Sequence, residues 1–122
     1  MQTLPRLFFA TGVIFVLIGM GWGIHMSITT DFTMAPAHAH LNLVGFVSMC
    51  IFGTYYELVP GAAATKLAMI HYGLSALTVV VMVPGIYLVL TQQGEALAKA
   101  GSLLAVLTML VFLYTIIRNK SV

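Results

Sequence analysis

His38 and His40 are the residues whose type and spacing could do chemistry. They stand in Pro36-Ala37-His38-Ala39-His40-Leu41-Asn42-Leu43-Val44-Gly45, at the mouth of a segment that otherwise reads as a lipid-embedded helix. An imidazole is costly to desolvate in hydrocarbon, so its presence in a span points to a metal, a cofactor or a proton path. On a helix, positions i and i+2 point about 200° apart, at roughly 100° per residue. The two side chains therefore face opposite sides, and each can serve a different neighbour. One ion held by both would need a kinked or frayed first turn.

The His38 face carries Asn42, Gly45, Met49, Phe52 and Tyr56 at helical spacing. It combines a polar group, large planar or soft side chains, and a glycine that lets a flat cofactor or another helix approach the backbone. The His40 face carries Val44, Val47 and Ile51, an apolar wall beneath a single ligand. Either face suits a porphyrin. His25 arrives at the same level on the preceding span, with Trp22 nearby, and is a secondary ligand candidate. Met20, Met26 and Met34 gather toward the same end and offer soft ligands to copper. The blander reading has the histidines capping the helix entrance against interfacial water or headgroups, the methionines filling space, and Trp22 anchoring at the interface. His71 lies at another depth, roughly 20 Å away by helical rise, and reads as a hydrogen-bonded packing residue.

The elements that must position these groups follow from composition. Of 122 residues, 61% are hydrophobic and 7% charged, with a mean hydropathy of +1.06. A soluble domain of this size has no use for so much apolar surface, whereas about 20 apolar residues make one span. Four spans are expected in a single all-α membrane domain over 1–122, with helices at about 7–29, 37–59, 66–90 and 95–117. The first is entered after Pro5-Arg6. Its apolar run is too long for a signal-peptide core, so it is read as a retained span. Pro60-Gly61 stops the second, and Pro84-Gly85 should kink the third near its far end. Gly19 and Gly23 have the small-xxx-small spacing of a tight helix contact. Tyr55, Tyr56 and Glu57 close the second helix as interface anchors, with Glu57 placed to pair with Lys66 across the turn. Cys50 reads as a small apolar side chain. The net charge of +2 is too small to suggest a nucleic-acid partner.

Arg6, Lys66, Arg118 and Lys120 fall on one side, and Lys99 falls on the other beside Glu95. The positive-inside rule then places both termini in the cytoplasm, in a multi-pass protein of a bacterial-type inner membrane. His25, His38 and His40 lie near the outer surface.

The run His38-Ala39-His40-Leu41-Asn42-Leu43-Val44-Gly45-Phe46, with Ile51-Phe52-Gly53-Thr54-Tyr55-Tyr56-Glu57-Leu58-Val59-Pro60 behind it, resembles subunit I of the heme–copper oxidase superfamily. The likeness is to the C-type cytochrome oxidases and nitric oxide reductases. It covers about 24 residues strongly and the four-helix layout more loosely. The resemblance implies a bundle like one four-helix arc of that subunit, whose three arcs surround a pseudo-threefold axis. There, the paired histidines of such a motif ligate two different hemes from opposite faces.

The resemblance therefore implies a heme b protein with bis-histidine ligation by His38 and His40, with Asn42, Gly45 and Met49 beside the cofactor. Electron transfer or heme and gas sensing would be its role. The family's copper-binding histidines and crosslinked tyrosine have no counterparts here, so turnover of a substrate is not expected of this chain. Because one chain contains only one such helix, a homo-oligomer is expected, a trimer ahead of a twofold dimer, with any respiratory-chain partner unidentified. The alternative is a copper-handling or oxidase-assembly membrane protein without heme, using His25, His38, His40 and the nearby methionines.

Overall fold

A computed structural model describes residues 1–119 of the chain. Four helices are long and apolar enough to cross a membrane: α1 (Thr3–Thr29), α2 (Ala35–Leu58), α3 (Lys66–Leu90) and α4 (Ala96–Arg118). No strand occurs among the described residues. The expected all-α, four-span architecture of a multi-pass membrane protein holds. Lys120 lies outside the described residues.

Two entrances differ from the sequence reading. Pro5 and Arg6 sit inside the first turn of α1 rather than ahead of it. First-turn amides have no helical acceptor, so a proline there costs no hydrogen bond. The same reason lets α2 start at Ala35 with Pro36 in its first turn. Midway, α2 contains a π-helical turn over Leu43–Val47, and the Ser48 amide donates to Leu43 O across it. The wider turn shifts everything beyond it relative to a uniform count of about 100° per residue. After α2, Pro60–Ala63 forms a single helical turn. Thr65 then caps α3, its Oγ1 accepting from the Ala68 amide at 3.2 Å.

Successive helices lie side by side, α1 with α2 and α3 with α4 sharing the most extensive contacts, while α1 and α4 barely meet. The α3–α4 contact is close because both sides offer glycine. A β-carbon at Gly85 would stand 2.6 Å from the Ala98 amide nitrogen, and one at Gly101 the same distance from Met82 Cα. Hydroxyls tie the helices in pairs: Thr11 Oγ1 to Tyr72 OH at 2.7 Å and Thr78 Oγ1 to Thr108 Oγ1 at 3.1 Å.

The aromatic core occupies the end of the bundle that holds the chain's N-terminus. Phe8 stacks on Tyr56 with ring centroids 5.5 Å apart. Tyr56 is thus fully buried, not an interface anchor. Tyr55 is half-buried and donates to Thr115 O at 3.4 Å. The expected Glu57–Lys66 pair is not formed. Among the described residues the one ion pair is the exposed Lys99–Glu95, at 3.3 Å, and Glu57 Oε2 is buried without a hydrogen-bond partner.

Candidate functional site

His38 turns inward, onto α1. Its ring lies against the backbone of Gly23, where a β-carbon would stand 3.1 Å from His38 Cε1. Trp22 meets it edge-on, with centroids 6.5 Å apart. One turn further, Asn42 Nδ2 lies 3.4 Å from His38 Nε2. An amide N–H can only donate, so this contact makes Nε2 the acceptor and leaves the proton on Nδ1. Nδ1 is buried and unpartnered, as is Asn42 Oδ1. A β-carbon at Gly19 would collide with that oxygen. Each member of the Gly19/Gly23 pair thus faces one polar side chain of α2.

Gly45 and Met49 continue the same seam deeper in the bundle. A β-carbon at Gly45 would come within 2.9 Å of Phe15 Cβ. Met49 is fully buried in the core, facing Gly12.

His40 turns outward and is exposed. Its Nδ1 lies 2.7 Å from the carbonyl oxygen of Pro36, one turn earlier. A carbonyl only accepts, so Nδ1 is the donor here, and in the neutral ring the lone pair is on Nε2. Histidines that ligate metals commonly donate their other ring N–H to a carbonyl in this way, which fixes the ring and raises its basicity. Leu43, Val47 and Ile51, all exposed, continue the outward side of α2 below it. The divergence inferred from the i, i+2 spacing is therefore realised: the two histidines belong to different surroundings.

His25 joins neither. It lines a cavity of about 270 Å³ at the end of the bundle opposite the aromatic core, with Trp22, Met26, Thr29, Asp31, Met34 and Tyr87. Asp31 Oδ1 accepts from the Thr33 amide at 3.0 Å and from Thr33 Oγ1 at 2.6 Å. These bonds hold its carboxyl below the ordinary aspartate value, with a smaller contribution from the charge of His25.

His71 is fully buried among Phe8, Phe52 and Phe112, its ring stacked on Phe112 at 5.5 Å. Tyr56 OH lies 2.9 Å from its Nδ1. A cavity of about 100 Å³ lies one turn further along α3, beside Ser75, Thr78 and Phe52. That is well below the roughly 300–1,000 Å³ of small-molecule sites, so a porphyrin does not fit it.

Two contributors escaped the sequence reading. The Pro36 carbonyl orients His40, and the i−4 spacing was a signal that could have found it. Tyr87 joins the outer cavity from the far end of α3, and nothing in the sequence near the histidines points to it. No protein-family model, curated protein or solved structure matches this chain.

Proposed function

We propose that this chain binds heme b on the bilayer-facing side of α2, with His40 Nε2 as one axial ligand and another polypeptide supplying the second. The observation that supports it is the Nδ1–Pro36 bond of 2.7 Å on an exposed imidazole. It fixes the ring and leaves Nε2 as the nitrogen available to a metal, on the same outward side of α2 as the apolar strip of Leu43, Val47 and Ile51. Such a strip covers a porphyrin face and excludes water. A heme held between two imidazoles carries one electron at a time, which makes electron transfer the favoured role. Gas sensing is the role if the second ligand is displaceable. The motif's resemblance to heme–copper oxidase subunit I points the same way.

The second ligand is best supplied by another copy of this chain. In a twofold dimer, His40 from each copy meets the same group with no change inside either chain. The threefold clamp joining His38 of one copy to His40 of the next requires His38 to give up Asn42 and leave Gly23. The twofold arrangement is therefore the one put forward, in a bacterial-type cytoplasmic membrane. Arg6, Lys66 and Arg118 at one end of the bundle favour cytoplasmic termini.

Purification in detergent after expression with ample heme tests this. The expected product is red, is dimeric by native mass spectrometry, and yields its heme to acid acetone, since the sequence has no Cys-x-x-Cys-His attachment site. A colourless protein, or a monomer that retains a six-coordinate heme, contradicts the proposal.

A further inference from the structure

The outer cavity is built from side chains that the heme reading leaves unused. Its lining includes one imidazole, His25, and two thioethers, Met26 and Met34. Met20, on the same span, faces outward at 56% exposure. Met26 differs: it is 5% exposed and still lines the cavity. Met34 differs too, since it lies in the link between spans at the N-cap of α2. Two separate segments therefore bring donors to one cavity, the end of α1 and the link, and Tyr87 of α3 lines it from a third.

The donor chemistry selects the ligand. Thioethers are soft, uncharged and poor ligands for hard or borderline divalent cations, but good ones for copper(I). No group of three His, Cys, Asp or Glu side chains suited to a divalent ion occurs among the described residues. Two thioethers and an imidazole in its metal-binding, unprotonated form add no charge, so a monovalent ion would leave the site at +1. Asp31 lines the same cavity and compensates that charge. Its Oδ1 is engaged by Thr33, which holds the carboxylate in place while leaving Oδ2 free. Trp22 and Tyr87 complete the lining.

We propose that His25, Met26 and Met34 form a three-donor site for copper(I), with Asp31 as its counter-charge. The site is separate from His40 and does not rest on the heme reading.

The test is an anaerobic titration of the purified full chain with copper(I) against a chromophoric copper(I) chelator. The wild-type protein should take up one ion per chain. Met34→Leu keeps volume and apolarity, so it preserves the fold. It should weaken binding on the order of tenfold or more, as the loss of a ligand shell partner does, and His25→Ala should do the same. His40→Ala should leave copper affinity unchanged, which separates this proposal from the heme reading. X-ray absorption of the loaded protein should show sulfur and nitrogen neighbours together. Absence of copper uptake by the wild type, equal affinity in Met34→Leu and His25→Ala, or a shell without sulfur would each overturn the proposal.

Discussion

His38 rests its ring on the backbone of Gly23, so closely that a β-carbon there would stand 3.1 Å from its Cε1. Together with the Asn42 contact, this commits His38 to the seam between α1 and α2. His40, two residues on, is left as the histidine on the outward face.

A side chain at Gly19 should displace Asn42 from its place in the seam. A β-carbon there collides with Asn42 Oδ1, whereas one at Gly21 meets nothing within 4 Å. Gly19→Ala should destabilise the bundle by roughly 1–3 kcal/mol through overpacking. Gly21→Ala should be neutral or stabilising by up to about 1 kcal/mol, the ordinary helix preference for alanine. Thermal unfolding in detergent, followed by circular dichroism, compares the two. Equal midpoints would show that the seam is looser than described.

The Tyr56–His71 bond joins α2 to α3 in the aromatic core. Tyr56→Phe keeps the ring that stacks on Phe8 but removes the hydroxyl, leaving His71 Nδ1 without its partner. A loss of roughly 1–2 kcal/mol is expected, measured by reversible unfolding in mixed micelles. The variant should keep any visible spectrum of the wild type, because His71 lies at the opposite end from His40. A bleached spectrum would move the cofactor to the core.

Much of this was legible from residues alone, and the reasons are physical. Four spans follow from apolar runs separated by the polar link at 30–36, by Pro60-Gly61 and by Thr91-Gln92-Gln93-Gly94, because hydrocarbon demands continuous helix and polar punctuation ends it. The opposed directions of His38 and His40 follow from an i, i+2 spacing on a helix. The Gly19/Gly23 contact follows from small-residue spacing, although its partners Asn42 and His38 do not. The π-helical turn at Leu43–Val47 was hidden. It accompanies the fit of Gly45 onto Phe15, a contact between α1 and α2 that no local pattern encodes. The burial of Tyr56 was hidden for the same reason, since an aromatic near a span's end reads equally as anchor or core.

Asp31 gives a pH signature at the outer end. Thr33 lowers its carboxyl below the usual 3.8 by side-chain and backbone hydrogen bonds. The sign follows from linkage: a depressed carboxyl favours the folded link above its unfolded value, and that contribution is lost as pH falls through the lower folded value. NMR titration of the Asp31 carboxyl in micelles should find a midpoint below 3.8 in the wild type, and Thr33→Val should raise it. An unshifted midpoint in the wild type would remove the Asp31–Thr33 contacts from the solution structure.

The most direct test is the reduced-minus-oxidised visible spectrum of the heme-supplied protein beside its His40→Ala and Asn42→Ala variants. The wild type should give the sharp bands of a bis-histidine b-type heme. His40→Ala should lose them. Asn42→Ala should retain them, because Asn42 lies in the inward seam against His38 and Gly19 and not beside His40. Intact low-spin bands in His40→Ala, or none in the wild type, would contradict ligation by His40.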